Sequence, residues 1–207
     1  MTDAAALQRI ADEADICRVR RLWGWGRDQG DWALVESCFN PGATVTVSWY
    51  AGPVAGFIER SKVLTANRKP EERSKHWFGN QRAVVRGARA TLETDVQILT
   101  RDRIDGHLCD YTSWGRFFDL FEFQGGGWRI SKWSTIYDKD RLDPVVPGSV
   151  PPSFFDGVAL EGAASGFAFM AFRQAKIGRT VPPGIVIGGS ADERALKADG
   201  EAWLAGR

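Results

Sequence analysis

Leu7, Ile10, Ala14 and Cys17 recur at steps of three and four, with Val19 and Leu22 extending the apolar side. That spacing predicts a helix laid on a core and ending near Gly24. The run GWGRDQGD supplies turn residues, and Asp31 is placed to cap a short helix over Trp32–Phe39 that Asn40-Pro41-Gly42 closes. Asp28 then stands at a helix junction. From Ala43 the period changes to two, with Val45, Val47 and Trp49 alternating against Thr44, Thr46 and Ser48, as in a strand. A helix over Phe57–Ala66 comes next. After the charged loop KPEERSK, the stretches His76–Val85, Ala90–Thr100 and Leu108–Phe123 read as neighbouring antiparallel strands. Arg86-Gly87 and Ile104-Asp105-Gly106 are the turns between them. Gly125-Gly126-Gly127 marks a hairpin into Trp128–Tyr137, where Trp128, Ile130, Ser134 and Ile136 share a face with Lys132. The pattern predicts an α+β fold with four or five strands flanked by helices.

Beyond Arg141 the pattern changes. PVVPGSVPP suits an extended arm, so residues 1–141 read as one domain and 142–207 as an arm ending in a short helix. Phe154, Phe155, Phe167, Phe169 and Met170 make this arm too apolar for a disordered linker, and it is expected to wrap the domain or a neighbouring subunit. Ser190 and Glu193 form a capping box for the last helix, which Leu196, Trp203 and Leu204 would dock.

Charge and composition narrow the function. The 207 residues carry 27 basic and 26 acidic side chains, a balance without the field that would hold nucleic acid or an anionic membrane surface. Three widely spaced cysteines give no disulfide framework or zinc pattern, and two histidines without a close carboxylate cluster do not supply a metal site. The acidic start lacks the marks of an export signal, and no apolar run is long enough to span a bilayer. A soluble, cytoplasmic protein that handles a small molecule is the expectation. Gly24-x-Gly26 lacks the third glycine of a dinucleotide loop. Nine Trp and twelve Phe against three Tyr provide a large aromatic stock for core and ligand.

The order of elements resembles the cone-shaped fold shared by nuclear transport factor 2 and scytalone dehydratase. Trp23-Gly-Trp-Gly-Arg-Asp28-Gln-Gly-Asp31-Trp32 is similar to the aromatic-x4-Asp-x-x-Asp signature of the SnoaL-like and scytalone dehydratase-like groups. Asn40-Pro41-Gly42-Ala43 resembles their turn into the first strand, Ser74–Asn80 their histidine-bearing strand, and Gly127–Ile130 their last hairpin, so residues from about 8 to 141 are covered. The resemblance implies a curled antiparallel sheet closed by N-terminal helices into a cone-shaped barrel. It also implies that Asp28 and His76 point into its mouth as a proton-transfer pair, and that no cofactor is used. Scytalone dehydratase and hexachlorocyclohexane dehydrochlorinase perform eliminations in this way. A homo-oligomer, dimer or trimer, is implied as well, since members commonly pack the outer sheet face against a copy.

The chemistry has a physical basis. Elimination needs a base for a carbon-bound proton and an acid for the leaving group, and an imidazole oriented by a carboxylate can serve as both. The match also has departures. The second active-site histidine of scytalone dehydratase falls near Thr100 or Arg101, and its two water-holding tyrosines fall at Arg27 and Val47. Arg101 or Tyr111 is then the candidate for stabilising developing oxygen charge. Ile136–Pro144 followed by a long arm resembles members from bacterial lignin-fragment pathways, some of them formaldehyde lyases acting on diarylpropanes.

The candidate set is therefore Asp28, His76, Arg101 and Tyr111 for catalysis. Trp23, Trp25, Arg27, Trp49, Trp77, Asn80 and Trp114 are the candidates for gripping the substrate. Structural readings stand beside these: Asp28 as a helix cap, His76 as a half-buried strand histidine, and the tryptophans as core. The leading function is a cofactor-independent lyase, dehydrating or formaldehyde-eliminating, on a hydroxylated aromatic compound. Rivals are a non-catalytic subunit like the small subunit of aromatic-ring dioxygenases, a ligand-binding module, and an isomerase or polyketide cyclase using Asp28 alone.

Overall fold

A computed structural model describes residues 3–162 and 165–206. Helix α1 covers Ala4–Gln29, longer than the periodicity suggests. Gly24 and Gly26 do not stop it, because they are contact points: a Cβ at Gly24 would strike the Phe78 ring, and one at Gly26 would lie 3.0 Å from the Asp31 carbonyl. The stop comes at Gly30, which has φ 77° and donates its N–H to Gly26 O. Asp28 thus sits in the last turn of α1 and not at a helix junction. Asp31 accepts the Leu34 N–H at 3.0 Å and caps α2, Trp32–Ser37.

Strand β1 (Phe39–Val47) begins four residues earlier than the alternation indicates and turns into the unanticipated β2 (Tyr50–Pro53). Helix α3 (Val54–Ala66) leads to β3 (Arg73–Arg86), β4 (Arg89–Ile104), β5 (His107–Gln124) and β6 (Gly127–Pro144). The order across the sheet is β2-β1-β6-β5-β4-β3, and a two-residue β7, Val186–Ile187, also pairs with β6. Strands β3 to β6 form the expected antiparallel meander, whereas β1 and β7 run parallel to β6. The curled sheet is therefore mixed and stays unclosed. Side-chain alternation reports burial and carries no information on strand direction.

A bulge in β6 corrects one face assignment. Phe121 pairs with Ile130 but Leu120 pairs with Lys132, so Ser131 is the extra residue and the alternation flips. Trp133, not Ser134 or Ile136, joins Trp128 and Ile130 in the main core. Ile136 instead packs on the outer face with Phe118, Leu120 and Val186. The same flip turns Thr135 and Tyr137 inward.

Helix α1 is fixed in the concavity by a fully buried ion pair, with Arg20 reaching both carboxylate oxygens of Asp119 on β5. The guanidinium lies 4.9–5.0 Å from the ring centroids of Trp23, Phe117 and Trp133. In the arm, Phe167 and the helix α4 that follows it (Ala168–Lys176) cover Tyr111, Tyr137 and Leu142, α4 contributing Met170 and Phe172. Helix α5 (Ala191–Leu204), capped by Ser190 accepting the Glu193 N–H, lays Leu196 and Trp203 on the outer sheet face. None of the helices described is long and apolar enough to cross a membrane.

Candidate active site

Strand β3 is an edge, so backbone N–H groups on its outer side lack a strand partner. Asp28 supplies one: its Oδ2 accepts the His76 N–H at 3.0 Å while its Oδ1 meets His76 Nδ1 at 2.7 Å. One carboxylate thus fixes both the backbone and the ring of His76. Lys75 Nζ adds a longer contact, 3.4 Å from Oδ2. The two side chains are only 5% and 10% exposed. Trp23 meets the His76 ring edge-on at a centroid distance of 5.1 Å.

The pair's electrostatics follow from this packing. Burial alone would raise the Asp28 pKa, but the hydrogen bonds from His76 and the charges of His76 and Lys75 outweigh it and hold the carboxyl below its ordinary value. Burial is the largest influence on His76 and lowers its pKa; Asp28 opposes this, and Arg27 and Arg20 add to it. The resting pair is a carboxylate and a neutral imidazole. With Nδ1 engaged by Asp28, Nε2 is the nitrogen left for the cavity.

His76 lines a cavity of about 220 Å³. Its aromatic floor is Trp23, Phe57, Phe117 and Trp133, with Trp49 and Tyr137 at the sides. Thr100 and Asp102 come from β4, while α4 and the loop after it supply Met170, Arg173 and Arg179. Trp23 Nε1, Trp133 Nε1 and Thr135 Oγ1 are buried without a hydrogen-bond partner among the described residues. These atoms belong to cavity-lining side chains but are themselves packed away from the open space.

Of the residues singled out by sequence, Trp23, Arg27, Trp49 and His76 line this cavity, with Asp28 directly behind His76. Arg101 does not: it lies on the face of β4 opposite Thr100 and Asp102, in a bidentate pair with Asp110 at 2.6 Å. Tyr111 shares the inner face with Thr100 but is covered by α4, its hydroxyl 3.5 Å from Asp140. Burial and the Asp140 charge push its pKa well above the ordinary value, so it is no ready proton donor. Trp25 and Trp77 are 63% and 66% exposed. Asn80 donates to Asp95 at 3.0 Å, and Trp114 stacks under Lys139 beside Gln97 on the outer face. Arg101, Trp25, Trp77, Asn80 and Trp114 fall on the outward side of their elements, whereas Tyr111 faces inward under α4, and residue type alone reveals neither.

Sequence reasoning missed Trp133 and Thr135, which an allowance for the β6 bulge would have found, and Phe117, which lies on the inward phase of β5. It also missed Arg68, Asp102, Arg173 and Arg179, for which no local signal exists.

A model of the SnoaL-like domain matches residues 8–134. The chain belongs to this family. It is 30% identical over 178 residues to pea pathogenicity protein 2 of Fusarium vanettenii, an alignment covering 83% of this chain and 71% of that protein. A PEP2-like protein of the same fungus is 27% identical over 157 residues, 73% of this chain, and the chain spans 64% of that relative's length. Among solved structures, a candidate scytalone dehydratase from Novosphingobium aromaticivorans superposes with TM-score 0.55 at 13% identity, covering 70% of this chain and 95% of that one. A type 2 hexachlorocyclohexane dehydrochlorinase, LinA, gives TM-score 0.51 at 19% identity, covering 70% and 97%. At these identities the likeness is one of fold, and this SnoaL-like fold includes proteins named as dehydratases and dehydrochlorinases.

Proposed function

We propose that this SnoaL-like protein is a cofactor-free lyase that removes water or formaldehyde from a hydroxylated aromatic compound. The observation that carries the reading is the 2.7 Å bond between Asp28 and His76 Nδ1, which leaves Nε2 facing an aromatic cavity. In dehydration, Nε2 takes the proton from a carbon beside the hydroxylated carbon, the C–O bond breaks, and the imidazolium returns that proton to the departing hydroxide as water. In the formaldehyde variant, Nε2 takes the proton of a hydroxymethyl O–H. The C–C bond then breaks to release formaldehyde, its electron pair forms the new C=C bond, and the benzylic hydroxide leaves with the proton from Nε2. In both, Asp28 stabilises the imidazolium.

A 220 Å³ cavity holds one substituted ring, given that about 150 Å³ holds benzene. A diarylpropane would lay its second ring in the adjoining groove formed by Trp49, Val63 and Leu64. Chemistry by Asp28 alone is less well supported, because the carboxylate lies behind His76 and not in the cavity wall.

Mass-spectrometric screening of aromatic diols for loss of water or formaldehyde tests the proposal, followed by His76→Ala and Asp28→Asn. Loss of an acid/base group should cost about 10²–10⁴-fold in turnover. Full turnover in folded variants would refute the mechanism.

A further inference from the structure

The charged groups around the cavity do not balance. Arg27, Arg68, Arg173 and Arg179 line it together with Glu72 and Asp102. Asp102 is taken by Arg173, whose Nε and Nη2 both reach Oδ2. Glu72 accepts the backbone N–H of Lys69 at 3.0 Å, and Arg27 donates to Thr65 Oγ1 at 3.2 Å beneath the Trp32 ring. Among the described residues, the guanidiniums of Arg68 and Arg179 have neither a carboxylate at ion-pair distance nor a side-chain hydrogen bond. Burial lowers the pKa of both, and the charge of Arg173 works in the same direction on each. Arg27 is brought to about 10 by burial and the charge of Arg68.

Like charges gathered in a half-buried space repel, and the cluster stabilises nothing until an anion joins it. Four guanidiniums thus line the cavity with two carboxylates, Glu72 and Asp102, while Asp28 lies behind His76 with Lys75 beside it. Two positive charges are left over, and Arg68 and Arg179 are the two guanidiniums without a partner among the described residues. A planar carboxylate, with one oxygen for each of two guanidiniums, matches their fork geometry.

We infer that the ligand of this cavity is an aromatic carboxylate, its acid group held between Arg68 and Arg179 and its ring on Trp23, Phe57, Phe117 and Trp133. This rests on the cavity being the substrate site, but it does not depend on the reaction. Arg179 comes from the arm, so the arm carries part of the recognition.

Equilibrium binding tests it without turnover. Calorimetry compares 4-hydroxybenzoate with its neutral isostere 4-hydroxybenzamide, on wild type and on Arg68→Met/Arg179→Met. The acid should bind wild type about ten- to a hundredfold more tightly, the span that hydrogen bonds to a charged group provide. The preference should vanish in the double variant, return in part with Arg68→Lys/Arg179→Lys, and weaken with salt. An acid that binds no better than its amide, or not at all, overturns the proposal, as does a preference that persists in the Met variant. Phenyl phosphate outcompeting the acid would overturn the carboxylate assignment. His76→Ala should keep the acid preference, so failure of the lyase reading and failure of this one give different results.

Discussion

Removing Asp119 probes whether the buried pair under the cavity floor holds the fold. Both side chains of the Arg20–Asp119 pair have no solvent exposure, and Arg20 lies 4.9–5.0 Å from three ring centroids of the floor. In Asp119→Ala, Arg20 stays buried beside Trp23 and Trp133 with its charge uncompensated, for which about 3–5 kcal/mol is expected. A chain of 207 residues has an unfolding entropy of roughly 0.4 kcal/mol per degree, so the melting midpoint should fall by about 7–12 °C. Replacing both groups in Arg20→Met/Asp119→Leu removes the stranded charge, and most of the loss should be recovered, because a buried pair often contributes little against apolar groups of similar volume. Urea and thermal unfolding of Arg20→Met, Asp119→Leu and the double variant form the necessary cycle. If Asp119→Ala costs less than about 1 kcal/mol, or the double variant costs as much as the two singles together, the pair is not coupled as the geometry requires.

Other tests follow from the site. Because His76 titrates below its ordinary value, the acid limb of kcat/KM should lie below about pH 6.5, and a limb above that would contradict a buried neutral base. With only two histidines in the chain, nitrogen-15 NMR can follow His76 directly; Asp28→Asn removes the influence that opposes burial, so its pKa should fall further, and a rise would refute the pairing. His76 binds protons less readily folded than unfolded, so its stabilising contribution is complete above about pH 6.5 and is lost as pH falls through the folded value. Urea midpoints of wild type should therefore drop more steeply on acidification than those of His76→Gln. Gly24→Leu would drive a side chain into the Phe78 ring and should cost about 1–3 kcal/mol in urea unfolding, whereas Gly30→Asn should cost much less, since asparagine tolerates the positive φ.

The sequence was legible where local chemistry and final geometry coincide. Asp31 reads as a cap and is one, and the three long alternations became β3, β4 and β5. Asp28 and His76 were recognisable from motif and position, although α1 runs past the two glycines meant to end it. What failed depended on distant partners. Gly24 looks like a terminator until Phe78 is seen against it, and β6 looks regular until Ser131 bulges. Arg101 was chosen by its match to the position of a relative's histidine and Trp77 by residue type, yet each sits on the outward phase of its strand. Thr100, the other position assigned to the missing histidine, is the one that faces the cavity.

The division between shared and particular features runs through the site itself. Asp28, His76 and the aromatic floor all lie within residues 8–134, the span matched by the family model. Met170, Arg173 and Arg179 lie outside it and reach the cavity only because α4 packs back over β6. The proposed proton transfer needs a rigid pair, and Asp28 and His76 are seated where an edge-strand N–H and a helix terminus meet beside the Trp23 ring. Recognition needs only that charged side chains reach the mouth, which an arm can provide without disturbing the sheet. A change in the arm can therefore alter which molecule enters while leaving the imidazole and its carboxylate in place. Arg179→Met should accordingly weaken binding of an acidic ligand and leave the His76 titration little changed, whereas Asp28→Asn should do the reverse.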